Sequence, residues 1–206
     1  MKNLMILLFA SISFVSCESI SGNGNVTDEK RPLSNINTVE TSGSIDVEIN
    51  TGDNYSLTVQ DDQNLIPYVV TEINGGELNI HYKDGYSIMN DHAKVIVTVP
   101  TLDKIITSGS GDITSVGVIK SYNEIEMHTS GSGDIKATVN APSVKVTGSG
   151  SGDIELSGMT KDFDCSISGS GDIKCSNLKS ENAEIHVSGS SDVHVFASVS
   201  LKANVT

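Results

Sequence analysis

The chain has no tryptophan, a single arginine (Arg31), four prolines and only 4% aromatic residues. With so few rings, it cannot furnish a large aromatic-lined pocket or a platform on which bases stack. Basic residues are scarce as well: Lys plus Arg number 13 against 26 Asp plus Glu, a formal charge of −13 over 206 residues. Phosphate recognition needs clustered Lys and Arg, so this deficit works against nucleic acid and anionic membrane as partners. What the chain does have is Ile, Val and Leu, 19 glycines and abundant Ser and Thr. β-branched residues with small turn-forming ones favour strands and tight turns over helices. The length suits roughly one ordinary domain.

Residues 1–17 carry Lys2, then an apolar run from Leu4 to Val15, then Ser16 and Cys17. That run is too short to span a bilayer and follows a positive start, which reads as a signal peptide over 1–16. The segment resembles a bacterial lipoprotein signal, in which a small residue precedes a Cys that is acylated and becomes the mature N-terminus. Phe14 stands where Leu is commonest in that pattern. The resemblance implies lipidation of Cys17, and cleavage would leave a mature charge of −14, since Lys2 is the one charge removed. Residues 17–31 are polar and Gly-rich without apolar periodicity, which predicts a flexible spacer between membrane and fold.

The second half is organised by a repeat. Gly-Ser-Gly-Asp-Ile stands at 109–113, 131–135, 150–154 and 169–173, with Gly-Ser-Ser-Asp-Val at 189–193. The aspartates Asp112, Asp134, Asp153, Asp172 and Asp192 fall about 20 residues apart. One residue after Asp stand Ile113, Ile135, Ile154, Ile173 and Val193; three after stand Ser115, Ala137, Leu156, Cys175 and Val195. Between these inward columns runs a polar one, Thr114, Lys136, Glu155, Lys174 and His194. That alternation is what a strand with one buried face requires. Upstream of each turn Ile105, Met127, Val146, Cys165 and Ile185 form another inward column, with Asp103, Ile125, Val144, Phe163 and Ala183 two residues earlier.

A unit with two short strands cannot bury its apolar columns alone, so successive units must stack. The prediction is an all-β fold: a right-handed parallel β-solenoid of about 20-residue coils over 101–206, with coils at strand spacing, about 4.8 Å. Stacking makes Lys136, Glu155 and Lys174 vertical neighbours of alternating sign. Residues 32–100 predict less regular strands near 44–50, 55–59, 77–82 and 94–100, separated by Asn-Gly, Gly-Gly and Asp-Gly signals. They are expected to form an antiparallel or mixed β region that packs on and caps the first coil. Residues 41–45, Thr-Ser-Gly-Ser-Ile, read as an early, imperfect copy of the repeat.

The lipoprotein-like start, the Arg31-Pro32-Leu33 entry, the strand block and the Gly-Ser-Gly-Asp-Ile ladder together resemble the putative auto-transporter adhesin, head GIN domain family, from about Arg31 onward. The resemblance implies a β-solenoid exported to the envelope of Gram-negative bacteria, lipid-anchored at the outer membrane or cell surface. It brings no catalytic residues. Its members usually continue past the equivalent of residues 201–205 into further Gly-Ser-Gly turns, which leaves open a missing C-terminal portion.

Stacked carboxylates repel unless they are hydrogen-bonded, protonated or bridged by cations, so the Asp ladder is the first candidate site. The expectation is structural: each Asp is satisfied by N–H groups of its own turn, with calcium as the alternative and no metal assigned. His128 and His186 share an outward column with Thr147 and Ser166 between them, and read as solvated surface residues. His81 and His92 lie near turns without ligand spacing. Cys165 and Cys175 occupy inward columns as small hydrophobes, and a disulfide across the coil stays open. No cofactor is expected. The function expected is a non-catalytic envelope lipoprotein, an adhesin or structural module that meets a protein or glycan ligand through a repetitive acidic wall. An envelope enzyme acting on polysaccharide, or a signalling or stress component, is the alternative.

Overall fold

The computed structural model describes residues 18–206, so the expected signal peptide and Cys17 lie outside the described residues. In chain order the strands are β1 (Glu18–Ser21), β2 (Val26–Arg31), β3 (Thr38–Gly43), β4 (Asp46–Thr51), β5 (Ser56–Asp62), β6 (Val69–Asn74), β7 (Glu77–Tyr82), β8 (Tyr86–Met89), β9 (Lys94–Val99), β10 (Lys104–Gly109), β11 (Ile113–Lys120) and β12 (Glu124–Gly131). Four long strands follow: β13 (Ile135–Gly150), β14 (Ile154–Gly169), β15 (Ile173–Gly189) and β16 (Val193–Val205). One 3₁₀ turn, Ile66–Tyr68, is the only helical element among the described residues.

The molecule is a β-solenoid with two faces. Each long strand runs along one face, rounds a corner and continues on the other: residues 135–140 of β13 lie beside β11, while 143–150 lie beside β12. The first face stacks β2, β5, β9, β4 and β11 and then the leading halves of β13 to β16; the second stacks β6, β7, β3, β10 and β12 and then the trailing halves. Pairing between coils is parallel throughout, and antiparallel pairs occur only at β2–β5, β5–β9 and β6–β7. The Gly-Ser-Gly-Asp turns line one edge of the flattened coil.

The predicted columns set the register. Ile113, Ile135, Ile154 and Ile173 stack in sequence, each 2% exposed or less, and Met127, Val146, Cys165 and Ile185 form the facing stack, fully buried. Apolar burial of this kind is the main stabilising term, about 25 cal/mol per Å² removed from water. The Ser115 position departs from the pattern. After Thr114 the register shifts through Gly117, at φ 95°, and Ile119 pairs with Val139 to fill the core.

Two expectations are corrected. Residues 18–31 are not a flexible spacer: β1 pairs with β8, and β2 pairs along its whole length with β5. Their polar side chains conceal strands that gain backbone hydrogen bonds at a sheet edge rather than core burial. Arg31 fixes the end of β2 by donating through Nη1 to the Val69 carbonyl and Thr71 Oγ1 and through Nη2 to the Ile66 carbonyl. The second correction concerns where the solenoid starts. Gly43 pairs with Gly109 and Val47 with Ile113, so β3 and β4 already form a coil and residues 43–47 are the first copy of the turn. Residues 52–103 leave that coil, build β5 to β9 on its outer side and return to continue the stack in register. Capping is done by this excursion rather than by the whole of 32–100.

Candidate functional site

The Asp ladder is closed on itself, and in a way the turn chemistry alone did not indicate. Each carboxylate from Asp46 to Asp172 accepts from the backbone N–H of the aspartate one coil on, not from its own turn. Asp112 N–H donates to Asp46 Oδ1 at 2.9 Å, Asp134 to Asp112 at 2.9 Å, Asp153 to Asp134 at 2.7 Å, Asp172 to Asp153 at 2.9 Å and Asp192 to Asp172 at 3.1 Å. Strand spacing brings each amide under the carboxylate of the preceding rung, so the negative charge is met by a donor column. Lys174 Nζ lies 2.5 Å from Asp153 Oδ2, and this contact, helped by the Asp172 N–H, holds the Asp153 carboxyl below its usual range. No group of three or more His, Cys, Asp or Glu among the described residues is arranged to hold a metal ion.

The other singled-out residues fall on the faces or in the core as their columns require. Lys136 pairs with Glu155 at 3.0 Å, while Lys174 turns away from Glu155 toward the Asp ladder. His128, Thr147, Ser166 and His186 stack outward in that order. His128 bonds Thr147 Oγ1 and reaches Glu126 Oε2 at 3.2 Å, and His186 reaches Glu184 at 3.3 Å. The imidazoles are therefore paired locally and do not converge. Cys165 and Cys175 are free, buried thiols with no disulfide between them. Burial pushes both thiols up, Cys175 to about 12, so neither is a nucleophile at neutral pH.

A polar cluster near the N-terminal end escaped the sequence reading, because its members are up to 31 residues apart and share no spacing. Asp61 and Asp62 are completely buried at the end of β5. Asp61 Oδ1 accepts from the N–H groups of Asp62 and His92, and the Tyr82 hydroxyl sits 3.0 Å from both Asp61 Oδ2 and Asp91 Oδ2. Asp62 Oδ2 meets His92 Nδ1 at 2.8 Å, while its Oδ1 is buried without a hydrogen-bond partner. The segment after β1 closes over it: a Cβ on Gly22 would stand 2.5 Å from Asp62 Oδ2. These contacts pin the N-terminal strands to the body.

One open surface groove, of about 480 Å³, lies at the corner opposite the Asp ladder. It forms because Asn140, Met159 and Lys179 stack on consecutive rungs and Lys179 lies over the ring of Phe196, 4.4 Å from its centroid. Met159 is 59% exposed and Phe196 38%, and Lys161 and Glu181 stand on the corner itself. Tyr122, 88% exposed, projects from the adjoining turn. Exposed Met and aromatic side chains rimmed by polar ones are more typical of a recognition surface than of a solvated wall.

Comparison with known proteins agrees with this architecture. The chain is similar to a putative adhesin from Bacteroides fragilis NCTC 9343 (TM-score 0.84, 19% identity, 90% of this chain and 87% of that one). It is also similar to a putative adhesin from Parabacteroides distasonis ATCC 8503 (TM-score 0.75, 24% identity, 91% and 89%). A putative lipid binding protein from the same Parabacteroides strain superposes at TM-score 0.66 with 23% identity over 91% and 98%. At these identities the likeness establishes the fold. No protein of curated function matches the sequence. The family model described as putative auto-transporter adhesin, head GIN domain, matches residues 35–206, and the chain belongs to that family.

Proposed function

We propose that the protein is a non-catalytic, adhesin-type binding module of the bacterial envelope, held at the outer membrane or cell surface by a lipid on Cys17. The observation that carries this reading is the corner groove, where the exposed apolar side chains of Met159 and Phe196 stand beside Lys161 and Lys179. Elsewhere among the described residues Lys94, Lys104, Lys136, Lys174 and Lys202 are each matched to a carboxylate, whereas Lys30, Lys83 and Lys145 are not. The family and the solved relatives support the same class. So does the start of the chain, where β1 begins one residue after Cys17 and would place the folded body directly at the membrane surface.

Two measurements test it. Cells carrying the full chain should adhere to a panel of immobilised polysaccharides and glycoproteins better than cells lacking it, with no release of oligosaccharide. Adhesion equal in the two strains, or release of reducing ends, overturns the reading. The Cys17→Ala variant should leave the membrane fraction for the aqueous phase. Detergent-phase partitioning that persists in the variant removes the lipid anchor from the proposal.

A further inference from the structure

We infer that the corner groove takes a linear, carboxylate-bearing glycan lying along the solenoid axis, one sugar per coil; this rests on the adhesin-type reading above. Charge gives the first argument. Six lysines have no carboxylate within 4.0 Å among the described residues, Lys30, Lys83, Lys120, Lys145, Lys161 and Lys179, although the chain carries twice as many acidic as basic side chains. Three of them stand on this one corner: Lys120 pairs with Asn140 in register, Asn140 with Met159 and Met159 with Lys179, while Lys161 flanks the same column. Glu181 is the single acidic residue lining the groove, so the local balance is positive against a molecule of charge −13. An anionic polymer is repelled by the rest of the surface and accepted here, which fixes it to one edge.

Side-chain chemistry and spacing give the second. Met159, Phe196 and Tyr122 offer exposed apolar surface of the kind that packs on the C–H face of a pyranose, and Asn140 lies in register beside Met159. The rungs repeat at about 4.8 Å, close to the length of one sugar in a 1,4-linked chain, whereas an extended peptide advances about 3.3 Å per residue and falls out of step. Lysines on the first, third and fourth of four successive rungs, with Asn140 on the second, therefore match uronate carboxylates carried one per sugar better than the side chains of an acidic peptide.

The test uses the full chain in detergent, with polygalacturonate as probe and dextran, polyglutamate and single-stranded DNA as comparators. Retention on immobilised polygalacturonate that weakens with sodium chloride, with none on the comparators, is expected. The Lys161→Ala/Lys179→Ala double variant and Tyr122→Ala should each bind about tenfold more weakly or less, with unchanged melting temperature. Lys136→Ala, across the face and paired with Glu155, should bind as the parent does. Equal retention on polyglutamate or DNA, or full binding by the double variant, overturns the inference. Binding to other surfaces of the adhesion panel without polygalacturonate overturns the ligand class and leaves the adhesin reading standing. Loss of all binding removes both.

Discussion

At the scale of single residues, the repeat is conserved down the stack for a steric reason that its own exceptions expose. A Cβ on Gly152 would overlap the Gly133 carbonyl oxygen of the coil beneath, which accounts for glycine at the third position of the four turns at 109–113 to 169–173; Ser191, in the last described turn, departs from it, with Gly171 beneath and no turn stacked on it among the described residues. In the first turn nothing of that kind lies beneath, and Ile45 takes the position and is fully buried. Gly152→Ala should therefore cost about 2 kcal/mol or more, because the clash is with backbone and cannot relax by a rotamer change. Ser151→Ala, one residue earlier and exposed, should stay within about 0.5 kcal/mol. Urea denaturation of the two variants checks the pair, and equal midpoints would contradict the stacking account. The glycine pattern was legible in the sequence. Its meaning was only half so, since the donor to each Asp belongs to the next coil and not to the turn in which the Asp sits.

At the scale of elements, the parts that the sequence concealed are those whose partners lie far along the chain. The early copy of the turn was visible at 41–45, but its partner was not: Gly43 is 66 residues from the Gly109 that stacks on it, and no periodicity bridges an excursion of that length. Strands β1 and β2 were illegible for a different reason: their stability comes from edge hydrogen bonds and from the Arg31 and Asp62 contacts, not from an apolar period. The Asp62–His92 pair gives that attachment a pH dependence. His92 holds the Asp62 carboxyl below its ordinary value, and Asp62 raises His92. A raised His contributes stability that is complete below its unfolded value, about 6.5, and lost as pH rises through the folded value. The depressed Asp62 contributes above its own unfolded value, about 3.9, and loses it in acid. The pair is thus at full strength between roughly pH 4 and pH 6.5. The wild type should melt above His92→Gln near pH 5.5, and the difference should vanish at alkaline pH. A difference that grows with pH would reverse the assignment.

At the scale of the whole molecule, the fold is nearly one-dimensional: each coil touches the coils on either side, and the sum of such interfaces sets the stability. Solenoid, turn edge and core columns could all be read from the repeat, whereas the groove could not. It depends on which outward residues meet across coils of unequal length, and Met159, Lys179 and Phe196 align only once register shifts in β11, β15 and β16 are known. The same geometry makes position along the axis an energetic variable. Ile154 is 2% exposed and stacks between Ile135 and Ile173, whereas Val193, the equivalent residue of the last described coil, has Ile173 on one side only and stays half-exposed. An aspartate at 154 would be sealed in with no partner and should cost about 3 kcal/mol or more. At 193 the carboxylate can turn to solvent, and one lost interface should cost about 1 kcal/mol. Glu155→Ser, outward on the same rung as Ile154, loses an exposed pair with Lys136 and should stay within about 1 kcal/mol. Denaturation of the three variants orders them 154, then 193, then 155 if nearest-neighbour stacking governs. If Ile154→Asp and Val193→Asp unfold the chain at the same midpoint, the coils share one cooperative core and the one-dimensional description fails.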